Sequence, residues 1–243
     1  MAVDAGARRY VTRVAVGSED IAAAQALRGA AFGLGRPDID GFDARCTHVL
    51  IEDRRAARLA GCFRLMPVQG AAVAASYSAQ FYDLSALAAY PGPMTELGRF
   101  CIHPATRDPD ILRAAWGAIA ADVDARGTAL LFGCTSFRGT DPATYAAAFA
   151  ALAARHLAPH EWAPRVRSTG AVPLGRGTAA PDTRAAYVLM PPLLRSYLGM
   201  GGWVSDHAVI DPAMNTLHVL TGLEIAAIPE ARRQRLRGLH GGA

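Results

Sequence analysis

Alternating hydrophobic and polar positions along the chain predict short strands separated by helices. The first strand is predicted over residues 13–16, and Ser18 is predicted to cap a helix that continues to Phe32. Two apolar runs, 47–51 and 59–65, flank a charged turn and therefore predict an antiparallel hairpin.

The central part of the chain predicts strands that are joined by helices. A strand is predicted over 95–102, and apolar residues at helical spacing after Pro109 predict the helix that follows it. A fully apolar strand is predicted over 129–137. Asp141 with the next proline predicts a helix N-cap, and that helix is expected to run to about His156.

The last third of the chain carries weaker signals. A stretch rich in proline and glycine predicts an exposed loop over 171–182. Apolar runs predict strands over 187–190, 203–204 and 217–220, and a short helix is predicted over 193–198.

Helices and strands alternate, and the early strands form a hairpin. The predicted fold class is therefore α/β (α+β), with a mixed, mostly antiparallel central sheet flanked by helices. With 243 residues the chain is long enough for a sizeable core. A single domain over 1–243 is expected, with a C-terminal extension that begins at about residue 185 and packs on it.

The basic residues exclude several classes of enzyme. All 25 of them are arginine, so a Schiff-base lysine, a lysine nucleophile and a P-loop lysine are absent. A formal net charge of +4 suits an acidic partner such as a carrier protein or an anionic membrane surface. The alternative is a small excess spread over the surface, without a function. No nucleic-acid partner is expected.

Cysteine and histidine spacing predicts neither disulfides nor a metal site. The four cysteines are irregularly spaced, at Cys46, Cys62, Cys101 and Cys134. Reduced thiols are expected, and since the N-terminus lacks an apolar secretion signal, so is a cytoplasmic location. A cysteine nucleophile paired with His103 or His156 has no supporting Asn or Asp pattern, and no histidine pair shows zinc-ligand spacing.

The strongest candidate chemistry lies on the strand predicted over 95–102. Glu96 stands beside apolar residues that could desolvate its carboxylate, which suits a general base. The alternative is a structural carboxylate paired with Arg99. A regular strand points these two side chains to opposite faces, so their convergence requires a bulge near Gly98. Such a bulge would also expose backbone N–H groups near Phe100 and Cys101 as oxyanion donors.

Further charged residues stand within otherwise apolar segments. Arg28, Asp40, Asp43 and Arg64 could form a network that orients the charged ends of an amino acid, or could form ordinary surface ion pairs.

The segment after the proposed reaction strand lacks a glycine-rich loop for the pyrophosphate of coenzyme A. An acyl donor held mainly through its carrier protein does not need that loop. Arg107, Arg113 and Arg138 are therefore candidate contacts for an acidic carrier protein.

Several ordered blocks resemble the ornithine N-alpha-acyltransferases of bacterial ornithine-lipid synthesis, which belong to the GNAT-like superfamily. The resemblance extends over most of the chain. It includes ELGRFC at 96–101, LFGCTS at 131–136, GTDP at 139–142, and further blocks at 40–48, 63–65, 81–84, 156–159, 189–193 and 208–216.

The resemblance implies a GNAT-like fold and transfer of a 3-hydroxyacyl group from acyl carrier protein to the alpha-amino group of ornithine. The product would be a lyso-ornithine lipid, with acyl carrier protein as partner and no further cofactor. On this reading Glu96 and Arg99 are catalytic. The substrate-binding residues would be Arg28, Asp40, Asp43, Arg64, Phe100, Cys101, Thr135 and Ser136.

A smaller set of residues is similar to the acyl-homoserine lactone autoinducer synthases. The matching positions are Arg28, Phe32, Asp40, Asp43, Arg64, Glu96 and Arg99. Leu34 departs from that pattern, because those synthases have a tryptophan close to this position. An autoinducer or other N-acyl amino-acid synthase is therefore the alternative enzyme.

A non-enzymatic alternative is a basic module that binds a carrier protein or a membrane. Its motivation is a cluster of arginines near the C-terminus, at Arg232, Arg233, Arg235 and Arg237. The same cluster suits peripheral contact with the inner membrane, whereas a solvated helix end is the simpler interpretation.

Overall fold

A computed structural model of the chain describes residues 8–175 and 183–240. The described residues divide into two compact units that alternate along the sequence. The first unit comprises 8–65, 99–125 and 233–240, and the second comprises 66–98, 126–175 and 183–232.

Strands and helices are numbered here in chain order. The strands are β1 (Tyr10–Val14), β2 (Thr47–Asp53), β3 (Arg58–Val68), β4 (Tyr82–Asp83), β5 (Met94–Ile102), β6 (Leu130–Arg138), β7 (Arg165–Val166), β8 (Ala171–Pro173), β9 (Trp203–Asp211) and β10 (Thr216–Glu224). The helices are α1 (Gly17–Phe32), α2 (Pro109–Arg126), α3 (Ala146–Arg155), α4 (Thr183–Leu189), α5 (Pro192–Gly199) and α6 (Glu230–His240).

The first unit is built on the antiparallel strands β1, β2 and β3, with the second half of β5 beside β3. Helix α1 packs on these strands because its small and apolar residues line one side. Ala24 and Leu27 are buried against Leu50, Cys62 and Cys101. This face of the sheet therefore carries α1, and α1 in turn carries Arg28.

The second unit has the strand order β5-β6-β10-β9-β8. Strands β5 and β6 are parallel, since α2 connects one to the other, and the remaining pairs are antiparallel. Helices α3, α4 and α5 cover β6, β9 and β10 through one apolar core, which includes Phe137, Phe149, Leu152, Leu194 and Val219.

A close backbone approach marks the place where β5 and β6 stop pairing. Their parallel ladder joins Met94 to Leu130 and ends with Glu96 opposite Phe132. The next residue of β6 is Gly133, where an added Cβ would lie 2.2 Å from the carbonyl oxygen of Leu97. A side chain at this position would force the two strands apart.

Most predicted elements are present with bounds that differ by a few residues, but the strand predicted over 203–204 extends to Asp211. The mixed, mostly antiparallel sheet and its flanking helices are confirmed. Asp141 accepts a hydrogen bond from the N–H of Ala143, as predicted for an N-cap, although the first turn is a 3-10 helix over Pro142–Tyr145 that leads into α3.

The strand predicted over 187–190 was wrong, because these residues lie in α4 and the turn that follows it. Ala186 and Met190 are buried in the core, whereas Tyr187 and Val188 are exposed. A spacing of four residues between buried positions fits a helix, and a short apolar run does not distinguish helix from strand by itself.

Two smaller predictions also need correction. Ser18 does not cap α1; the carboxylate of Asp20 instead accepts a hydrogen bond from the N–H of Val16 at 2.7 Å. Within the predicted loop over 171–182, Ala171–Pro173 forms β8, and 176–182 lie outside the described residues. Among the described residues, no helix has both the length and the apolar character needed to cross a membrane.

Gly29→Ala should destabilise the protein by about 1–3 kcal/mol, although alanine is normally the better helix residue by about 1 kcal/mol. The reason is that a Cβ on Gly29 would lie 2.1 Å from the carbonyl oxygen of Arg36. The measurement is the free energy of unfolding in urea. Gly238→Ala on α6 is the matched control, because a Cβ there meets nothing within 4 Å; equal effects would contradict the packing argument.

Candidate active site

The first unit contains a network of three arginines and three aspartates. Arg28 comes from α1, Arg64 from β3 and Arg99 from β5. The aspartates come from the segment between α1 and β2, at Asp38, Asp40 and Asp43. The formal charges of these six side chains sum to zero, which makes their burial compatible with ionisation.

Each arginine bridges two of the aspartates. The Nε of Arg28 donates to Asp38 at 2.9 Å, and its Nη2 donates to Asp43 at 2.9 Å. Arg64 donates to Asp40 at 2.6 Å and to Asp43 at 2.8 Å. Such forked contacts suit the planar guanidinium, whose donors point in fixed directions.

Arg99 completes the network by donating to Asp38 at 2.8 Å and to Asp40 at 3.0 Å. Its backbone has a φ of 51°, which lies in the left-handed region that non-glycine residues rarely adopt. The strand irregularity expected near Gly98 is therefore found at the next residue. The prediction that it brings Glu96 and Arg99 onto one face stays a prediction.

Burial and charge act in opposite directions on the aspartates. Burial by itself would raise the pKa of Asp43, but hydrogen bonds from Gln25 and Arg64 and the charge of Arg28 lower it to about 2. Asp40 is likewise desolvated, and Arg64 and Arg99 hold its pKa below the ordinary value. The side chain of Asp40 is 21% exposed, more than any other member of the network.

The second unit contains Glu96, on β5. Its side chain is buried, and the carboxylate accepts hydrogen bonds from the N–H groups of Tyr77 at 2.9 Å and Ser78 at 2.7 Å. The hydroxyl of Ser78 donates to the same carboxylate at 2.6 Å. These donors belong to the turn that includes the 3-10 helix Ser78–Gln80, and they fix the orientation of the carboxylate.

A thiol extends this group of hydrogen bonds. Cys134 lies on β6, one residue beyond Gly133, and its Sγ donates to the Oγ of Ser78 at 3.4 Å. Ser78 is completely buried, whereas Cys134 is partly exposed. Ser78 therefore connects Glu96 to a partly exposed residue, Cys134.

The other predicted substrate-binding residues lie on β5 and β6. In the first unit Phe100 stacks on Phe63 with 6.0 Å between ring centroids, and the Sγ of Cys101 lies 3.6 Å from that of Cys62. In the second unit the hydroxyl of Thr135 accepts a hydrogen bond from Thr221 at 3.0 Å, and Ser136 is exposed. The role of these residues in substrate binding stays a prediction.

The arginines predicted to contact a carrier protein are all exposed. Arg107 and Arg113 belong to the first unit, where Arg113 pairs with Asp110 on α2, and Arg138 belongs to the second. Of the C-terminal cluster, Arg232 donates to the carbonyl oxygen of Gly199, and Arg237 donates to Asp124 at 2.8 Å. These two side chains are thus partly engaged within the protein.

The second unit also buries two histidines around Tyr82. The hydroxyl of Tyr82 donates to the carbonyl oxygen of His218 at 2.8 Å, and it lies 3.1 Å from the Nδ1 of that ring. The ring of His207 lies 5.2 Å from that of Tyr82. Burial, and then the neighbouring His207, lower the pKa of His218 to about 4. Among the described residues, no three His, Cys, Asp or Glu side chains are grouped to hold a metal ion.

Sequence reasoning placed Arg28, Asp40, Asp43 and Arg64 in a common network, and the structure brings them together with Arg99. The prediction from sequence did not include Asp38, although this residue precedes Asp40 by two positions in the same acidic segment. It also left out Ser78, for which no local signal exists. The residue is a serine in a turn, 18 positions before the carboxylate it binds.

Comparison with known proteins gives consistent matches. The sequence profile described as Acetyltransferase (GNAT) domain matches residues 25–117. The L-ornithine N(alpha)-acyltransferase of Rhodobacter capsulatus is 34% identical to this chain, with 93% of each chain covered. The protein of the same name from Agrobacterium fabrum is 32% identical, with coverage of 89% of this chain and 81% of the relative.

A solved structure, that of TofI in an apo form, shares the fold with a TM-score of 0.52. The alignment covers 96% of this chain and 99% of TofI at 15% sequence identity. Together with the matching profile, it confirms the predicted GNAT-like fold.

Asp43→Asn should destabilise the protein by about 3–5 kcal/mol, because it leaves the buried charges of Arg28 and Arg64 with one fewer carboxylate. Urea denaturation measures the change. Asp110→Asn is the control, since it removes an exposed ion pair and should cost less than about 1 kcal/mol. A similarly small effect for both variants would show that the network is not structurally important.

Stability should fall as the pH is lowered from 6.5 to 4, in part because of His218. In this range the unfolded chain binds the proton more tightly than the folded one, whose His218 has a pKa of about 4. Protonation of His218 lowers the free energy of unfolding by up to about 3 kcal/mol, and this loss is complete below pH 4. Urea denaturation at pH 7.5 and pH 5 should show a smaller loss for His218→Gln than for the parent protein. The control His160→Gln, at an exposed position, should behave like the parent.

Proposed function

The chain belongs to the family of L-ornithine N(alpha)-acyltransferases and is an acyltransferase, and we propose that it acylates the alpha-amino group of ornithine. The proposed donor is a 3-hydroxyacyl acyl carrier protein, and the proposed product is a lyso-ornithine lipid. The observation that carries the proposed mechanism is the buried, hydrogen-bonded carboxylate of Glu96 at the end of the β5–β6 ladder.

An amine attacks a thioester only after its ammonium form has lost a proton, so this reaction requires a base. Glu96 supports this role because its carboxylate is held in one orientation by Tyr77 and Ser78. The hydroxyl of Ser78 donates to the same carboxylate at 2.6 Å and adds to this orientation. In the proposed reaction Glu96 accepts the proton of the amine, directly or through a water molecule.

The end of the β5–β6 ladder offers a place for the acyl donor. Pairing with β5 stops at Phe132, whereas β6 continues to pair with β10 as far as Arg138. Backbone groups of β6 beyond Phe132 that point away from β10 can therefore bind the amide-bearing arm of a carrier protein, as an added strand would. Gly133 lets the backbone of Leu97 approach β6 closely at the point where this ladder ends, because it has no side chain.

The arginine–aspartate network is proposed to bind the charged ends of the amino acid. Asp40 is the member best suited to an ammonium group, because it combines a lowered pKa with the largest exposed fraction in the network. Arg28 and Arg64 are almost completely buried and act by holding the aspartates in place.

The partner and the location follow from the same proposal. Exposed Arg107 and Arg138 suit electrostatic attraction to an acidic carrier protein. All four cysteines are free thiols, which fits a reducing compartment such as the cytoplasm. Peripheral membrane contact through the C-terminal arginines is part of the proposal, since the product is a lipid.

The test is reconstitution with purified protein, 3-hydroxyacyl carrier protein and ornithine, with the amide detected by mass spectrometry. Lysine, 2,4-diaminobutyrate, glycine and S-adenosylmethionine serve as competing amines. The proposal requires that ornithine gives the highest kcat/KM. Preferential acylation of S-adenosylmethionine would instead assign the chain to the autoinducer synthases, and absence of any amide would overturn the proposal.

Glu96→Gln should lower kcat by about 10²–10⁴-fold, because the amide is not a general base. It should also remove the acidic limb of the pH–rate profile that the carboxylate produces. Steady-state kinetics from pH 5 to pH 9 provide the measurement.

The exposed Glu161→Gln is the matched control and should leave kcat and the pH profile unchanged. Urea denaturation measures whether the substitution also changes the free energy of unfolding. A Glu96→Gln variant that is destabilised yet retains nearly full turnover would assign Glu96 a structural role.

A further inference from the structure

Three side chains of the second unit form a continuous hydrogen-bonded chain. The thiol of Cys134 donates to the hydroxyl of Ser78 at 3.4 Å, and that hydroxyl donates to Glu96 at 2.6 Å. The three residues differ in exposed fraction. Ser78 is 0% exposed and Glu96 is 4% exposed, whereas Cys134 is partly exposed. Cys134 is therefore the most exposed of the three residues.

The position of the thiol relates it to the acyl donor. Cys134 follows Gly133 on β6, just beyond the last ladder pair with β5. This is the place assigned above to the arm of the carrier protein, whose sulfur is the leaving group. Glu96, Ser78 and Cys134 thus link the proposed base to the region where a thiolate is released.

The reaction requires a path for a proton from the amine to the departing thiolate. Formation of the amide takes one proton from the amine, and departure of the carrier leaves a thiolate that requires one proton. A thiol is well matched to supply it, because the proton then passes between two sulfur groups of the same chemical kind.

We propose that Cys134 is a further catalytic residue, which protonates the departing thiolate of the carrier and recovers its proton from Glu96 through the hydroxyl of Ser78. The inference rests on the proposed function, because it assumes a thioester donor and Glu96 as base.

The proton that the ammonium form loses before attack is released to water, and from the neutral amine onward the steps balance without another reactant. The amine nitrogen forms its bond to the acyl carbon, the carbon–sulfur bond breaks, and the nitrogen proton passes to Glu96. Cys134 gives its proton to the carrier sulfur. The protonated Glu96 then donates to Ser78, whose own hydroxyl proton moves to the thiolate of Cys134. This last step restores the three groups to the state seen in the structure.

The test varies the acidity of the leaving thiol. One donor is an alkyl thioester of a 3-hydroxyacyl chain, and the other is an aryl thioester of the same chain. Because an arenethiolate is a stable leaving group, it needs no proton from the enzyme. Cys134→Ala should lower kcat at least about 10-fold with the alkyl thioester and less than about 2-fold with the aryl thioester.

Two further variants separate acidity from packing. Cys134→Ser retains a group that can donate to Ser78, but a hydroxyl is a far weaker acid than a thiol. It should therefore be as slow as Cys134→Ala with the alkyl thioester. Cys46→Ala is the matched control, because it removes another partly exposed thiol, in the first unit, and should leave both rates unchanged.

If Cys134→Ala lowered kcat equally with the two donors, Cys134 would have a structural role and the proposal would be overturned. Full activity of the variant with both donors would also overturn it. Incubation of the parent protein with acyl carrier protein alone provides another decisive outcome. A hydroxylamine-sensitive acyl adduct that Cys134→Ala lacks would make the thiol a nucleophile instead of an acid.

The proposed function can fail separately from this inference. If the parent protein acylates an amine other than ornithine, the proposed amine is wrong, but the leaving-group comparison still tests Cys134. If the parent protein transfers the acyl group to no amine, both proposals are overturned.

Discussion

Arg28, Arg64 and Arg99 remain charged inside the first unit because three aspartates neutralise them at hydrogen-bonding distance. The aspartates lie on the segment between α1 and β2, whose regular structure over 33–46 is a single 3-10 turn, Asp43–Arg45. The conformation of this segment therefore depends on ion pairs more than on a backbone ladder. Since each arginine comes from a different element, removing one aspartate affects α1, β3 or β5 as well as the segment itself.

The second unit holds its principal carboxylate in a different way. The hydrogen bonds described for Glu96 come from two backbone N–H groups and one hydroxyl, all within the short segment Tyr77 and Ser78. The aspartates are thus held by arginines from three elements of the first unit, and the carboxylate of Glu96 is oriented by donors from one turn of the second.

Local signals explain which parts of this structure could be predicted from sequence. Asp141 followed by proline specifies a helix start, and the apolar spacing after Pro109 specifies α2, because both depend on residues within a few positions of each other. The strand expected over 187–190 is not present. Ala186 and Met190 are buried in a core formed with residues that are distant in the sequence, and their spacing fits a helix. A four-residue apolar run does not by itself indicate tertiary packing of this kind.

The same distinction applies to the site. Sequence alone brought the charged residues of the first unit to attention, because arginine and aspartate are unusual in apolar segments. The partner of each arginine could not be read from spacing, and Asp38 was missed although Arg28 and Arg99 both bind it. Ser78 had no signal of any kind. Its relation to Glu96 and Cys134 arises from contacts over 18 and 56 positions.

The exclusive use of arginine has a chemical consequence for a protein that handles activated acyl groups. All 25 basic side chains of the sequence are guanidinium groups, which stay protonated at neutral pH and do not act as acyl acceptors. A lysine amine near a bound thioester would compete with the substrate for the acyl group. With no such amine among its side chains, the protein can concentrate positive charge around an acyl donor without becoming a target for its own reaction.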